Sequence, residues 1–316
     1  KERVLNYYKY INKQSNISLD IFNLIDTRVE NYDVIHFVKI QQEHYNIFQL
    51  CKILNKKIII SPVISTNNQL INRFKYQFIS FFKLKFHPRY KVGDMLKNCS
   101  LILPQTNKEL EAIMSMFLIN KEKLFVMPNG VDVSEFKDDY STEFKINDNK
   151  IILVIGRFDQ NKNQLRTIKA LNDSSYNLIL VGGPDDYHKD YYNNCRETAN
   201  NNVLFTGWLK KTDPKFHWLK RNADVILLPS INEIFGNSIY EASLYGARIV
   251  IGNNLELVKV PEELIVRINP LSLKSIKSGV DKAILMGKCT ECIDLISSYF
   301  NWDEIAKSII KKYNFE

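Results

Sequence analysis

Cysteine is sparse in this chain of 316 residues, with five thiols at 51, 99, 195, 289 and 292. A small, odd number is poor material for a disulfide framework and suits a reducing cytoplasm. Cys289-Thr290-Glu291-Cys292 is one CxxC with no second pair and no nearby histidines, so it does not make a zinc pattern. No apolar run approaches the ~18 residues that a spanning helix needs. No secretory signal is visible. Zinc-finger and RNP patterns are missing, which leaves nucleic acid without support as a partner. Repeats of solenoid period are missing too, and there is no low-complexity tract beyond a general excess of Asn, Lys and Ile.

What is present is ordinary globular material. The length suits two domains, and 45% hydrophobic residues with 25% charged ones are enough for real cores. A net charge of +8 favours anionic partners: nucleotide diphosphates, acidic lipid surfaces or nucleic acid.

The chain is organised around the stretch from Ala223 to Ile251. Val225 to Leu228 is a continuous apolar run, the pattern of a parallel strand buried on both faces. Pro229 and Ser230 stop it, and a polar loop follows as far as Gly236. From Asn237 the pattern is helical, with Ile239, Ala242 and Leu244 placed to face a sheet, and Arg248 to Ile251 is the next strand. Glu233 then falls beyond the carboxyl end of a strand, where open α/β sheets bind ligands. Asn237 and Ser238 open a helix whose first N–H groups can seat a phosphate, and Gly236 lets a ligand approach. Glu241, one turn in, is placed to accept hydrogen bonds from a vicinal diol such as a ribose. Ser238-x-x-Glu241 is also a capping box, which needs no ligand, and spacing alone does not choose between the two.

Glu233, seven residues, Glu241, with Phe235-Gly236 inside and Glu-Ala at the end, resembles the E-x7-E signature of retaining GT-B glycosyltransferases, glycosyltransferase family 4 (glycosyl transferases group 1). Farther back, Ile151 to Ile155 reads as a strand followed by Gly156-Arg157 and, five residues on, Lys162. Taken alone these are solvated loop charges. In the resembling family an Arg and Lys at this spacing hold the donor diphosphate, where a breaking glycosidic bond needs countercharge. Pro128-Asn129-Gly130-Val131-Asp132 matches the family's crossing between halves. The closing segment, from Tyr299 through Trp302 to Tyr313, resembles its last helix. The segment after Gly207 lies against the nucleobase in relatives, so Leu209 and Trp208 join the candidates, although Trp208 is equally an ordinary half-buried aromatic.

The resemblance implies an α/β fold of GT-B type, two Rossmann-like domains facing across a cleft. The expected boundaries are residues 1–136 plus a closing helix 299–316 on the acceptor side, and 137–298 for the nucleotide sugar, with Lys137 to Lys150 as linker. It implies transfer from a nucleotide diphosphate sugar, UDP or GDP, to a glycan or lipid-linked acceptor, with retention, in cell-surface polysaccharide or glycoconjugate synthesis. Catalytic roles fall to Glu233, Arg157 and Lys162. Donor contacts fall to Gly156, Arg157, Lys162, Leu209, Glu233, Phe235, Gly236, Asn237, Ser238 and Glu241. No cofactor or metal is expected: a metal-dependent GT-A enzyme wants an Asp-x-Asp pair, and no two aspartates here stand two apart.

Three departures stand beside the resemblance. No first strand or Gly-rich loop precedes the opening helix, Val4 to Ile11, so the expectation is that the numbered chain lacks them. Ile60-Ser61-Pro62 stands where many relatives place a histidine, with His36 as a substitute or a satisfied strand histidine. Asn253-Asn254-Leu255-Glu256 replaces the usual Gly-Gly and acid near the sugar. These keep open a non-catalytic GT-B subunit that binds a partner or glycan.

The remaining strands are read at Leu19 to Leu24, Val34 to Phe37, Ile58 to Ile60, Leu101 to Leu103, Leu124 to Met127, Leu178 to Val181 and Val203 to Thr206. From Asn72 to Lys91, Arg73, Lys75, Lys83, Lys85, Arg89 and Lys91 interleave with Phe74, Tyr76, Phe78, Phe81, Phe82 and Phe86. Phe74, Phe78, Phe81 and Phe82 have helical spacing, so this is either an amphipathic helix packed on its own domain or an interfacial surface at an anionic membrane. The expected place is therefore the cytoplasm, peripherally at the inner face of the plasma membrane.

Overall fold

A computed structural model describes residues 2–14, 17–23, 25–66, 68–133 and 146–314. The chain forms two α/β units, Lys1–Gly130 with Trp302–Glu316, and Val131–Asn301. The expected linker lies, as far as residue 145, outside the described residues.

In unit 1 the apolar run Lys57–Ser61 (β2) is the middle of a three-stranded parallel sheet, flanked by β1 (Val34–Val38) and β3 (Leu101–Ile102). Alternation along β2 sends its side chains to opposite faces. Ile58 and Ile60 enter a core with Phe37, Phe48, Met95 and Leu110, under the helices α2 (Tyr45–Ile53), α3 (Gln69–Phe81), α4 (Pro88–Asn98) and α5 (Asn107–Phe117). Ile59 enters a second core with Tyr7, Tyr10, Trp302, Ile305 and Ile309. Those residues belong to α1 (Glu2–Asn12) and α12 (Trp302–Tyr313), so the opening and closing helices cover one sheet face together. Close approach there depends on Gly130, where a Cβ would fall 2.4 Å from Cδ2 of the Trp302 indole.

Glu109 fastens the loops that leave β2 and β3. Thr106 Oγ1 caps α5 by accepting from the Glu109 N–H. The buried Glu109 carboxylate accepts from the Ile64 N–H at 2.7 Å and the Gln105 N–H at 2.8 Å. Burial pushes its pKa up to about 7, against the pull of those two N–H groups and of Arg3.

Two strand expectations fail in unit 1. Residues 19–23 form no strand, and Leu24 lies outside the described residues. Asn12 holds Leu19 by both backbone groups, leaving Ile21 and Phe22 exposed with no ladder to join. Leu124 to Met127 runs beside β3 but makes one bridge, Ile102 to Leu124, because Pro104 has no N–H to extend a ladder. The helical spacing of Phe74 to Phe82 is met by α3. That helix has its C-cap at Phe82, and α4 starts at Pro88 with His87 as its cap.

Unit 2 carries a six-stranded parallel sheet in the order β6-β5-β4-β7-β8-β9. Its elements alternate: β4 (Ile151–Ile155), α6 (Gln164–Leu171), β5 (Asn177–Val181), α7 (Lys189–Thr198), β6 (Val203–Gly207) and α8 (Pro214–Asn222), then β7 (Val225–Leu228), α9 (Asn237–Ser243), β8 (Arg248–Gly252), β9 (Ile265–Ile268), α10 (Leu273–Met286) and α11 (Thr290–Tyr299). From β4 the chain walks outward through β5 and β6, then returns to lay β7 on the other side of β4. The β4–β7 boundary is therefore the topological switch point, where loops at the carboxyl ends part and leave a crevice. Among the described residues no helix is long and apolar enough to cross a membrane.

Two outcomes follow for unit 1. Gly130→Ala should lower stability by about 2 kcal/mol, because the indole above it has to move, read as a lower urea midpoint. Between pH 4.5 and 7 the folded state holds a proton on Glu109 that the unfolded state has released. Stability should accordingly fall as pH rises through that window, and Glu109→Gln should flatten the slope of Tm against pH.

Candidate functional site

The site is built on the two loops at the switch point. The loop after β4 runs from Gly156 to Asn163, and the loop after β7 from Pro229 to Gly236. Asparagines lock one to the other. Asn161 Nδ2 donates to the Asn232 carbonyl, the Asn232 N–H donates back to Asn161 Oδ1, and the Ile231 N–H donates to the Asn161 carbonyl, all at 2.8–2.9 Å. Asn163, in left-handed backbone at the start of α6, donates from Nδ2 to the carbonyls of Pro229 and Pro270. Each such bond is worth about 1 kcal/mol. Together they outweigh the partly exposed ion pairs nearby, each worth about 0–1 kcal/mol. Loop position is thus fixed by amides, and the charges are carried on it.

The lock brings Lys162 onto Glu233, and their ammonium and carboxylate pair directly. The stem of Lys162 passes over Gly156, where a Cβ would lie 3.5 Å from Lys162 Cδ. Arg157 stands beside them with its guanidinium shared between two acids: Nε and Nη2 on Asp159 Oδ2 at 3.0 and 2.8 Å, and Nη1 3.0 Å from Asp185 Oδ2. Asp159, nearly buried, also accepts from the Lys162 N–H, so one carboxylate sets both cations. Asp185 comes from the loop after β5 and is held at 2.5 Å by His188 Nδ1. That bond, aided by the charges of His188 and Arg157, keeps the Asp185 carboxyl below its usual range.

Gly236 is the N-cap of α9 at φ 72°, left-handed backbone that a side chain enters only with strain. A Cβ there would fall 2.9 Å from Leu228 Cδ2. Asn237 and Ser238 are the first two helical residues. Since Gly236 caps the helix without a side-chain bond, Ser238-x-x-Glu241 is not a capping box here. Glu241 instead pairs with Lys211 at 2.6 Å, which draws the loop after β6 to α9. Leu209 lies half-buried in that loop, beside the exposed Trp208, whose indole covers Gly183.

Two candidates change role. Phe235 is buried, its ring stacked on Tyr240 at 4.5 Å and tilted against Phe300, so it packs α9 and leaves only backbone for a ligand. His36 is no stand-in for the missing histidine. It lies within β1, its Nδ1 2.7 Å from Tyr313 Oη and its Nε2 2.8 Å from Ser61 Oγ, and burial holds its pKa down to about 3. Cys289 and Cys292 are buried thiols with sulfurs 2.6 Å apart.

Sequence reasoning missed Asp159, Asn161, Asn163, Asp185, His188 and Lys211. Asn161 and Asn232 each precede a charged site residue by one position, a faint signal, but only the fold pairs them.

Residues 136–269 match the family model "Glycosyl transferases group 1". The chain is 30% identical over 228 residues to an uncharacterized glycosyltransferase of Methanocaldococcus jannaschii, covering 64% of this chain and 57% of that protein. It is 26% identical over 210 residues to one of the subunits of the human phosphatidylinositol N-acetylglucosaminyltransferase, covering 62% of this chain and 42% of that one. The chain thus spans about half the length of the curated relatives it matches. Among solved structures, a glycosyltransferase of Rickettsia africae superposes with TM-score 0.72 at 15% identity, over 99% of this chain and 93% of that one. Anabaena HepE in complex with UDP-glucose does so with TM-score 0.69 at 15% identity, over 96% and 88%. Residues 136–269 therefore carry a group 1 glycosyltransferase domain, in a chain whose α/β fold with parallel sheets is that of the GT-B glycosyltransferases.

Proposed function

We propose that this chain moves a glycosyl group from a nucleotide diphosphate sugar, UDP or GDP, to a hydroxyl of a glycan or lipid-linked acceptor, with retention at the anomeric carbon. Its place is the cytoplasm, in synthesis of cell-surface polysaccharide or glycoconjugate. The observation that carries the reading is the pairing of Lys162 with Glu233 at the switch point beside the Asn161–Asn232 lock, with Arg157 held on the same Asp159 that takes the Lys162 N–H. Two fixed cations beside an acid suit a leaving diphosphate next to a sugar.

In this reading the diphosphate takes Arg157 and Lys162 from their carboxylates, and the amides of Asn237 and Ser238 hold its phosphates. Glu233, released from Lys162, turns to the sugar hydroxyls. Glu241 takes the ribose diol, and Leu209 borders the base. The cations supply the countercharge that a divalent metal supplies elsewhere, so turnover should survive chelators. The acceptor's proton goes to the donor phosphate on the same face.

A thermal-shift screen against UDP, GDP, ADP and dTDP sugars should raise Tm with one base and not the others, since a ligand that binds only the folded state stabilises it. Glu233→Gln should lower kcat by about a hundredfold with Tm little changed, whereas Glu241→Ala should act mainly on the donor KM. Nucleotide release from wild-type protein given donor and acceptor measures this. A donor shift without release would point instead to a non-catalytic subunit.

A further inference from the structure

From His44 to Gly93 the sequence contains no aspartate or glutamate, against nine lysines and arginines. Helix α3 and the turn into α4 lie in this stretch and show two unlike faces. Inward, Tyr76 and Ile79 are buried, the Tyr76 ring 5.0 Å from Phe117 and closed over Gly93. The phenylalanines whose spacing would mark a core stripe point the other way. Phe74 is 69% exposed, Phe78 61% and Phe81 81%, and the turn adds Phe82 at 56% and Phe86 at 94%. Phe82 meets Phe78 at 4.7 Å and Phe81 at 5.2 Å between ring centres, so these three rings form one apolar cluster.

The turn is held in shape. Lys83 adopts left-handed backbone (φ 48°), and the Leu84 N–H bonds back to the Ile79 carbonyl. His87 caps α4, and Arg89 donates to Asn72 Oδ1 at 2.9 Å, tying the two helices together. Beside the rings lies an open groove of about 1090 Å³ whose lining includes His87, Arg89 and Lys97. Lys75, Lys83 and Lys85 are exposed around it. Contiguous exposed rings mark a surface that meets something apolar. Basic residues from a stretch that carries no acid select an anionic partner, and they repel a second copy of the same face.

We propose that the α3–α4 shoulder of unit 1 docks on an anionic lipid bilayer. The rings of Phe74, Phe78, Phe81 and Phe86 enter the boundary between headgroups and acyl chains. Lys83, Lys85 and Arg89 reach the lipid phosphates. A protein partner fits less well, because its surface would offer discrete acids at fixed points rather than a continuous negative sheet above an apolar layer.

The test is sedimentation of the full chain with vesicles of phosphatidylcholine alone or mixed with phosphatidylglycerol, at low and high salt. Sedimentation is expected with the mixed vesicles and not with the neutral ones, weakened by salt. Each basic residue near the surface contributes about fivefold in binding, so the Lys83→Glu/Lys85→Glu pair should weaken it at least about 25-fold. Phe81→Ser/Phe86→Ser should abolish what salt leaves. Both variants change exposed side chains, and an unaltered Tm for each shows that the fold is intact. Absence of binding to mixed vesicles, or binding that both variants leave unchanged, overturns the proposal. So does a dimer in solution that Phe81→Ser/Phe86→Ser dissolves, which would give the face to a second copy. Thermal shift by a nucleotide sugar reads unit 2 alone, so a failed vesicle experiment leaves the proposed transfer reaction standing.

Discussion

The reciprocal bonding of Asn161 and Asn232 is the constraint on which the candidate site depends. It ties two loops that are 71 residues apart in sequence but leave neighbouring strands, and it does so with neutral groups whose geometry does not vary with salt or pH. The charges could not perform this task. The Arg157 side chain is half exposed, and pairs of that kind contribute too little to hold a loop. Amides fix position while ions are left free to change partners, and the proposed chemistry needs that division.

Legibility from sequence followed the range of the interactions involved. In unit 2 the strands at Ile151 to Ile155, Leu178 to Val181, Val225 to Leu228 and Arg248 to Ile251 were plain, because strands buried on both faces are written as continuous apolar runs with turn residues after them, whereas the edge strand Ile265–Ile268 went unread. The order of the strands was not plain, since nothing in Val225 to Leu228 announces that it returns beside Ile151 to Ile155. Glu233, Lys162 and Arg157 were visible through the resemblance. Asp159, which sets both cations, looked like any loop acid. In unit 1 the reading faltered where local pattern and available partner disagreed. Leu19 to Leu24 has strand-like composition but no free ladder beside its described residues, and Leu124 to Met127 has a neighbour that Pro104 interrupts. Phe235 was named for its place in a motif, and its ring serves the core.

The two units solve the same problem with different means. Unit 2 buries its sheet with helices supplied from its own continuous stretch of chain. Unit 1 has a smaller sheet and uses α1 and α12, from opposite ends of the numbered chain, for one face. Packing there is tight enough that Trp302 leaves no room for a side chain at Gly130.

That arrangement has a bearing on how the polypeptide is made. Synthesis proceeds from the amino end, and domains tend to fold as they emerge. Unit 2, continuous from Val131 to Asn301, can close before unit 1 does, although unit 1 is started first. Until residues 302–313 leave the ribosome, Ile59, Leu103 and the tyrosines of α1 wait without their cover, and a nascent chain stalled short of that helix presents this apolar face to chaperones.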